Sequence, residues 1–348
     1  MSRTEDLGWF VGVTDATLPY LSGVDLDQYY LNPRSCVHAI KEGRRKVREL
    51  FGKEVTLPDV SCPPLSYGHV SCLGGEVVFL HDSEPYVRAA YKTLDDAMEA
   101  LRKAESFEDN DLFRHYLRIY EHLKQEFPQD NVKFAGFSWE GPITSAVLLR
   151  GKDFCVDLYR EPEKAKVFLD LLTDSITSFV RLQRRMNSEP EISSDSTGLA
   201  DDFSSLIHPK MWEEFIIPYW NQYYEGLTSG RRTLHCENLS SEHLKYLKMA
   251  KVSHYDPSVS RKLSPRTIRE ETDIAFTWRL PSFELLHMSR AEVRDWVTRA
   301  SKDGATHVHM YIERVMCDGD NPAKVIAFIE AAKELATQSG KRGWESEC

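Results

Sequence analysis

The sequence predicts an α/β fold, a TIM (β/α)8 barrel with an N-terminal helical or irregular extension, on three observations. Short apolar segments alternate with longer amphipathic ones over most of the 348 residues, which is typical of parallel strands joined by crossover helices. About seven or eight such units fall within about 270 residues, and this number favours a closed barrel over a doubly wound sheet. No Gly-x-Gly-x-x-Gly motif follows the early strands, which argues against a dinucleotide-binding fold.

Hydrophobic spacing divides the chain into a cap or extension over residues 1–75 and a barrel over 76–348 that forms one compact unit. The extension is irregular apart from a helix over 36–51, whose apolar residues recur at helical spacing. Within the barrel, Pro142 marks a helix start, since proline loses no hydrogen bond at the first helical position. Further helices are predicted over 109–127, 143–150, 161–186, 209–227, 241–250, 264–271, 290–301 and 322–335, and strands over 132–137, 231–237, 252–255, 274–279 and 307–312.

Composition and charge predict a globular protein of the cytoplasm. The formal net charge of -10 argues against nucleic acid as a partner, because phosphate binding needs a basic surface. No apolar run reaches the roughly 18 residues that cross a bilayer, and residues 1–6 lack the apolar core of a signal peptide, so we expect no membrane partner. The seven cysteines are irregularly spaced, as is typical of reduced cytoplasmic thiols.

The strongest functional signal is the run His235-Cys236-Glu237 at the end of a predicted strand, together with Cys317 about 80 residues later. Successive strand side chains point to opposite faces, so His235 and Glu237 share a face and Cys236 opposes them. Imidazole, carboxylate and thiolate are ordinary zinc ligands, and three protein ligands leave one position open for substrate. In the alternative interpretation, His235 is a hydrogen-bonded core histidine and Cys236 a small buried apolar residue.

Charged residues at other predicted strand ends are candidates for acid–base work, because barrel chemistry gathers at the carboxyl ends of strands. Asp201 and Asp202 follow a strand near 197–200 and are candidate catalytic carboxylates or orienting partners of a metal ligand; the alternative is that one of them caps a turn. Asp256 is a candidate substrate contact, with a turn or cap as its alternative role. Arg279 is a candidate to bind a carboxylate or stabilise an anionic leaving group, or else it pairs within the barrel rim.

Aromatic residues and a histidine pair supply weaker signals. Trp139 and Trp278 are candidate substrate contacts, since a ring near the mouth of the barrel can hold a flat apolar substrate, although most such rings pack in cores. His307 and His309 share one face of a predicted strand. Such a pair can bind a metal, but more often it lines a barrel interior.

A series of short motifs follows one order from about Pro63 onward. They are Phe134-Ala135-Gly136, Gly141-Pro142-Ile143-Thr144, Asp201-Asp202 with Leu206-Ile207-His208-Pro209, Phe215-Ile216-Ile217-Pro218, the strand end at His235, Asp256, Pro281 with Leu285-Leu286, and Cys317 before Asn321-Pro322-Ala323-Lys324. In order and spacing they resemble the uroporphyrinogen decarboxylase superfamily, and specifically its cobalamin-dependent methyltransferase branch, the methyltransferase I of O-demethylase type. The Arg-Gln-Ala-Gly-Arg segment with which true decarboxylases grip propionate groups does not occur in this sequence.

The resemblance implies a zinc ion (Zn2+), which that branch typically binds through His-x-Cys and a distant Cys. Aligned on His235, this chain has Glu237 in the first Cys position, so the implied ligands are His235, Glu237 and Cys317. In the other register Cys236 substitutes as a ligand and the histidine position falls on Leu234. A carboxylate in place of a thiolate leaves zinc a stronger Lewis acid, so we expect an oxygen-bound substrate such as a methyl ether rather than a thiol.

The activity that the resemblance implies is transfer of a methyl group from a small methylated substrate, above all a methoxylated aromatic, to the cobalt of a corrinoid (cobalamin) carried by a separate partner protein. In that reaction Asp201 or Asp202 orients a ligand or manages the proton, and Arg279 steadies the substrate. The alternatives are transfer from methylcobalamin to a thiol resembling coenzyme M, porphyrinogen decarboxylation, and a metal-free binding module. Whether the chain forms a homodimer stays open.

Overall fold

Parallel strands form the centre of the protein. The structure is a computed structural model and describes residues 7–103 and 106–339. Its strands are β1 (Gly8–Val13), β2 (Glu76–Val78), β3 (Tyr86–Arg88), β4 (Ser196–Ala200), β5 (Arg231–His235), β6 (His254–Asp256), β7 (Ala275–Arg279) and β8 (His307–Ile312). Six of them make one parallel sheet in the order β1-β8-β7-β6-β5-β4, while β2 and β3 form a separate antiparallel pair.

Helices connect and cover these strands. They are α1 (Thr17–Ser22), α2 (Leu26–Leu31), α3 (Pro33–Phe51), α4 (Gly68–Cys72), α5 (Leu94–Lys103), α6 (Asp111–Glu126), α7 (Pro142–Arg150), α8 (Phe154–Arg160), α9 (Pro162–Met186), α10 (Trp212–Phe215), α11 (Ile217–Leu227), α12 (Ser241–Met249), α13 (Pro265–Glu271), α14 (Ser282–His287), α15 (Arg290–Lys302) and α16 (Asn321–Ser339). The sheet curls into a half-barrel with helices around it, which confirms the predicted TIM-barrel-like α/β fold.

Strand β1 was not predicted from the sequence, and it lies within residues 1–75. It pairs with β8 in parallel, with Gly8 opposite His307 at the start of the ladder. A Cβ atom on Gly8 would collide with the His307 ring, and one on Gly12 would collide with the Phe10 ring. Two glycines in six residues obscure the apolar pattern of this strand. The domain boundary at residue 75 stays a prediction, and the first strand of the barrel sheet precedes it.

The prediction of a strand over 132–137 is wrong. This segment makes only an isolated bridge, between Phe137 and Leu65. The side chain of Asn187 takes the hydrogen bonds that a neighbouring strand would make: Phe134 N–H donates to Oδ1 of Asn187 (2.8 Å), and Nδ2 of Asn187 donates to Phe134 O (3.1 Å). The amide side chain of Asn187 therefore forms the backbone hydrogen bonds of Phe134 that a neighbouring β-strand would otherwise form.

The barrel interior is polar. On β8, His307, His309 and Tyr311 alternate with apolar residues that are fully buried, so the three polar side chains face the interior. The His307 ring lies 5.6 Å from the His254 ring, and the His309 ring lies 5.6 Å from the Tyr311 ring. Because barrel interiors are usually filled by branched apolar side chains, this lining indicates a functional end of the barrel nearby.

Apolar burial is divided between two clusters. The larger one packs the outer face of the sheet against the helices and includes Trp212, Trp220 and Leu234. The second lies under α3 and α6 and includes Phe113 and Tyr116. Among the described residues, no helix combines the length and the apolar character that crossing a membrane requires.

Candidate active site

The carboxyl ends of the parallel strands carry the polar residues of the site. Asp201 and Asp202 follow β4, His235 ends β5, Asp256 ends β6, Arg279 ends β7 and Glu313 follows β8. Strands β4 to β8 are neighbours in the sheet, and parallel strands end at the same edge, so these positions line one edge of the barrel. The strand-end rule applied to the sequence therefore located this edge correctly.

The centre of the site is an ion pair between His235 and Asp256. Nδ1 of His235 lies 2.9 Å from Oδ2 of Asp256. The other carboxylate oxygen, Oδ1, accepts hydrogen bonds from Thr277 Oγ1 (2.9 Å) and from the backbone N–H of Ser258 (2.8 Å). With Asp256 fixed in this way, the ring orientation of His235 is fixed as well, and its second nitrogen, Nε2, remains directed toward Asp202 at 3.7 Å.

This pairing shifts the pKa values of both partners. Burial alone would lower the pKa of His235, but the hydrogen bond and charge of Asp256, with the charges of Asp202 and Glu237, outweigh it and raise that pKa to about 9. Burial likewise works to raise the pKa of Asp256, and His235 overcomes it and holds the value well below the usual range. The His235 side chain is 37% exposed, so at neutral pH this edge of the barrel presents a protonated, water-accessible imidazole.

Asp201 anchors the backbone beneath the site. It is fully buried and accepts hydrogen bonds from the backbone N–H of Thr144 (2.7 Å), from Ser204 Oγ (2.8 Å) and from Trp220 Nε1 (2.7 Å). The contact with Thr144 lies in the first turn of α7, so Asp201 supplies the acceptor that a helix start needs. This is the capping role that the sequence left open for one of the two aspartates, and a catalytic role for Asp201 stays a prediction.

Asp202 faces the open side of the site. Its Oδ1 accepts a hydrogen bond from the backbone N–H of Glu237 (2.7 Å) and lies 3.7 Å from Nε2 of His235. Burial raises the pKa of Asp202, while the charge of His235 and the hydrogen bond from Glu237 oppose that rise. Of the two adjacent aspartates, Asp202 is thus the one placed to act on a substrate near His235.

Neither of the two cysteines singled out in the sequence points to His235. Cys236 is fully buried, and its thiol donates to the backbone oxygen of Asp201 (3.3 Å). The Cys317 thiol donates to the backbone oxygen of Glu313 (3.7 Å). Burial raises the pKa of the Cys236 thiol well above its usual value and that of Cys317 to about 12. Both therefore behave as protonated, enclosed thiols.

The donor set does not fit the zinc site that the resemblance implies. Over residues 7–103 and 106–339, no group of three or more His, Cys, Asp or Glu side chains is placed to hold a metal ion. His235 uses Nδ1 for Asp256, and Cys317 bonds its own loop. A zinc ion on His235, Glu237 and Cys317 would require a different arrangement of these loops, and zinc binding stays a prediction.

Arg279 is held inside the barrel rim. Its guanidinium bonds Glu313 Oε1 (3.2 Å) and Ser258 Oγ (3.3 Å) and lies 5.1 Å from the centre of the Tyr311 ring. The side chain is only 18% exposed. The ion pair that the sequence suggested as an alternative is therefore present, and contact between Arg279 and a substrate stays a prediction.

The two candidate tryptophans occupy different surroundings. Trp139 is half-buried, and its indole N–H donates to the hydroxyl of Tyr223 (3.0 Å). It directly precedes Glu140 near the site. Trp278 lies on the face of β7 opposite Thr277, which reaches Asp256, and it packs against the larger apolar cluster. The Trp139 side chain is thus bonded to a fully buried tyrosine, and Trp278 faces the surrounding helices. A contact between either ring and a substrate stays a prediction.

Sequence reasoning missed two carboxylates near the edge of the barrel where the strands end. Glu140 has its Oε2 atom buried without a hydrogen-bond partner among the described residues, and burial together with the charges of Asp202 and Asp201 raises its pKa to about 8. Asp15 follows β1 and lies at an exposed position. Glu140 follows the segment 132–137, which the sequence predicted as a strand, so the strand-end rule could have found it. Asp15 follows β1, which the sequence did not predict.

Two loops next to the site have strained backbone. Asn238 (φ 59°) follows β5, and Ser258 (φ 45°) follows β6. Residues with side chains rarely adopt these angles, and such strain is common at functional sites. Ser258 is also held by Asp256 through its backbone N–H. The strain therefore adjoins the two residues of the ion pair.

Comparison with known proteins agrees with this fold. The chain matches the family described as Uroporphyrinogen decarboxylase (URO-D) over residues 67–335. Among solved structures it is similar to a methyltransferase from Methanosarcina mazei, with 15% sequence identity, a TM-score of 0.67, and coverage of 95% of this chain and 94% of that chain. No curated protein matches the sequence. Since the family match spans most of its length, this chain belongs to the uroporphyrinogen decarboxylase (URO-D) family.

Proposed function

We propose that this protein is a methyltransferase that moves a methyl group from a small methylated substrate, above all a methoxylated aromatic, to the cobalt of a corrinoid on a separate protein. Membership of the URO-D family and the likeness in fold to a methyltransferase support the class of reaction. The observation that carries the proposal is the His235–Asp256 pair, with the partly exposed His235 at the carboxyl ends of the strands.

Cleavage of a methyl ether needs help at the oxygen, because an unprotonated phenolate or alkoxide is a poor leaving group. The electron pair for the new carbon–cobalt bond comes from the reduced corrinoid. As the carbon–oxygen bond breaks, its electron pair stays on the oxygen, which takes the proton from Nε2 of His235. The products are a methylated corrinoid and a phenol, and His235 is left neutral until it is protonated again.

The other residues position these groups. Asp256 holds Nδ1 of His235 and keeps the ring in place, as carboxylates do for catalytic imidazoles. Asp202, at 3.7 Å from Nε2, can return a proton between turnovers. Trp139, which precedes Glu140 in the sequence, would offer an aromatic surface for a methoxyarene ring. Positioning of His235, return of the proton and contact with the substrate ring are thus all assigned to side chains of this protein.

The test is methyl transfer with a matched set of variants. The purified protein is mixed with cob(I)alamin and a panel of methoxyarenes, and formation of methylcobalamin is followed by absorbance. We expect His235→Asn to lower the rate by about 100-fold or more, the usual range for loss of a general acid. His38→Asn, at an exposed position of α3, is the control and should leave the rate unchanged.

Two outcomes would overturn the proposal. An unchanged rate in His235→Asn would remove the proposed proton donor. Absence of methyl transfer from every methoxyarene, with activity instead from methylcobalamin to thiols or on a porphyrinogen, would replace the reaction itself by one of the alternatives.

A further inference from the structure

The interior face of the barrel sheet is accessible over much of its area. Side chains that face the interior alternate along each strand with buried, outward-facing ones. Gly198 of β4 faces inward and is exposed. Most other inward-facing residues of β5 to β8 are partly exposed, and they are Thr233, His235, His254, Asp256, Thr277, Arg279, His307 and Tyr311. Since a fully packed barrel interior would bury such residues, this interior contains space that a ligand can enter.

His309 is more deeply buried than these neighbours. It is 5% exposed, and its Nδ1 has no hydrogen-bond partner among residues 7–103 and 106–339. His309 of β8 lies opposite Arg279 of β7 in the parallel ladder, so the two side chains are neighbours on the interior face. The Nε atom of Arg279 is also buried without a partner in the described part of the chain. Because buried polar groups are nearly always hydrogen-bonded, these two nitrogens indicate a place for a polar ligand.

Two aromatic rings border the unsatisfied nitrogens. The Arg279 guanidinium lies 5.1 Å from the centre of the Tyr311 ring, and the His309 ring lies 5.6 Å from it. The Phe10 ring lies 5.7 Å from the Tyr311 ring, and Phe10 is opposite His309 in the ladder of β1 with β8. Both aromatic side chains are partly exposed. They therefore offer apolar surface to a flat ligand beside the two nitrogens.

A chain of short contacts connects Arg279 with the His235–Asp256 pair. Nη1 of Arg279 donates to Ser258 Oγ (3.3 Å), and the backbone N–H of Ser258 donates to Oδ1 of Asp256 (2.8 Å). Asp256 in turn pairs with Nδ1 of His235 at 2.9 Å. The unsatisfied nitrogens of Arg279 and His309 therefore belong to the same strand-end site as the proposed proton donor.

The chemistry of the two nitrogens indicates an oxygen acceptor as the ligand atom. Nε of arginine carries a hydrogen and can only donate. Burial lowers the pKa of His309 to about 4, so at neutral pH the ring is neutral and carries a single N–H, which donates when it is on Nδ1. One oxygen atom with two lone pairs can accept from both nitrogens.

Charge decides between a neutral oxygen and a carboxylate. Arg279 is already paired with Glu313, and His235 with Asp256, so these four charges balance. A carboxylate ligand would add a negative charge without a partner in a partly buried place, which is costly. A carbonyl oxygen adds no charge and accepts two hydrogen bonds. The balance of charge thus favours a neutral carbonyl group.

We propose that Arg279 and His309 bind a neutral carbonyl oxygen of the substrate, so that the protein selects methoxyarenes that carry a ketone, aldehyde or amide group on the ring. The inference rests on the proposed function for the methoxy group, and on the two unsatisfied nitrogens for the carbonyl. In this arrangement Phe10 and Tyr311 border the arene, and the carbonyl contact fixes the ring relative to His235.

A series of ligands that differ in one group tests the inference. Binding of 4-methoxyacetophenone, 4-isopropenylanisole and 4-methoxybenzoate is measured by calorimetry on the full chain, with EDTA and without corrinoid. The alkene has the shape of the ketone but no acceptor, and it leaves the two nitrogens unsatisfied. We expect the ketone to bind about tenfold or more tightly than the alkene, and also more tightly than the benzoate. Acetophenone should keep the same preference over α-methylstyrene, because neither has a methoxy group.

Variants connect the preference to the two side chains. His309→Phe keeps a ring and removes Nδ1, while Arg279→Lys keeps the charge beside Glu313 and removes Nε. Each should weaken binding of the ketone by about tenfold and leave binding of the alkene unchanged. Arg266→Lys, at an exposed arginine of α13 that pairs with Asp303, is the matched control and should change neither. Alkene binding reports in every variant whether the site is still folded.

The outcomes separate this inference from the proposed function. Equal binding of ketone and alkene would overturn the inference, since water would then satisfy the two nitrogens. Tightest binding of the benzoate would overturn the choice of a neutral group, and unchanged ketone binding in both variants would overturn the choice of residues. A ketone preference that depends on both residues, without methyl transfer to a corrinoid, would support the carbonyl site and overturn the proposed reaction.

Discussion

The indole N–H of Trp220 donates a 2.7 Å hydrogen bond to Oδ2 of Asp201, and both side chains are fully buried. The bond joins α11 to the loop after β4, where the site begins. Since Asp201 also holds the first turn of α7 through Thr144, one carboxylate positions two helices against the sheet. Loss of one hydrogen-bond donor to Asp201 should therefore lower the free energy of unfolding.

We expect Trp220→Phe to destabilise the protein by about 1–3 kcal/mol, because the change leaves a buried carboxylate oxygen short of a donor. The free energy of unfolding is measured by urea denaturation. Trp296→Phe on α15 is the matched control: this side chain is also buried, and no hydrogen bond of its indole is found among the described residues. If both variants lose the same free energy, the loss reflects ring size and not the bond to Asp201.

Asp256→Asn should lower the pKa of His235 from about 9 toward or below the ordinary value of 6.5. The substitution removes both the charge and the preferred acceptor for Nδ1, while burial continues to oppose the charged ring. NMR titration of labelled histidine measures the shift. A His235 pKa that stays near 9 in this variant would show that another group holds the proton.

The same pair makes stability depend on pH in a defined direction. The pKa of folded His235 lies above that of the unfolded chain, so its stabilising contribution is complete below about pH 6.5 and is lost as the pH rises through about 9. Unfolding free energies of the wild type should fall over this window more steeply than those of Asp256→Asn. Parallel curves for the two proteins would contradict the pairing.

Because His69 is buried, we expect stability to change with pH in the opposite direction at acid pH. Its ring is fully buried, and Nε2 lies 2.9 Å from Ser175 Oγ. Burial lowers its pKa to about 3. As the pH falls, His69 is therefore protonated in the unfolded chain before it is protonated in the folded protein. The free energy of unfolding should decline as the pH falls from about 6.5 toward 3. In His69→Gln this decline should be shallower, whereas in His38→Asn it should match the wild type.

Metal analysis tests the zinc prediction directly. The resemblance predicts that purified protein retains stoichiometric zinc. The described geometry, in which Cys317 is bonded to the Glu313 backbone and His235 is paired with Asp256, predicts instead that it does not. Cys317→Ser should then leave both metal content and methyl transfer unchanged. Stoichiometric zinc that is lost in both Cys317→Ser and His235→Asn would establish the ligand set implied by the resemblance and would show that the loops rearrange around the ion.

Apolar spacing and helix-start residues correctly predicted helices, because a helix satisfies its backbone hydrogen bonds within its own segment. Helices such as α9 and α15 carry clear apolar spacing and begin at a proline or a capping serine, so their positions follow from the sequence alone. The end of β7 at Arg279 was predicted as well. By contrast, β5 ends at His235, two residues before the predicted end, and β6 ends at Asp256, one residue after it. The segment around Phe134 was wrongly predicted as a strand, because its backbone is hydrogen-bonded by the side chain of Asn187, 53 residues away.

Tertiary contacts also decide which site residues are available. The sequence placed Cys236 beside His235 but could not show that its thiol turns inward to the Asp201 carbonyl. Glu140 stands between Trp139 and the Gly141-Pro142 motif in the sequence, but that position does not show its burial near Asp202, which raises its pKa. Such features depend on which segments meet across the barrel, and a single sequence contains no direct record of them.

Pairing of β1 with β8 joins the beginning and the end of the folded sheet, with Gly8 opposite His307. During translation, at about 5–20 residues per second, β1 can pair with β8 only after nearly the whole chain has been synthesised. Contacts so distant along the chain slow folding and leave strand edges exposed in the meantime. We therefore expect a nascent chain of this protein to depend on chaperones until its last strand emerges.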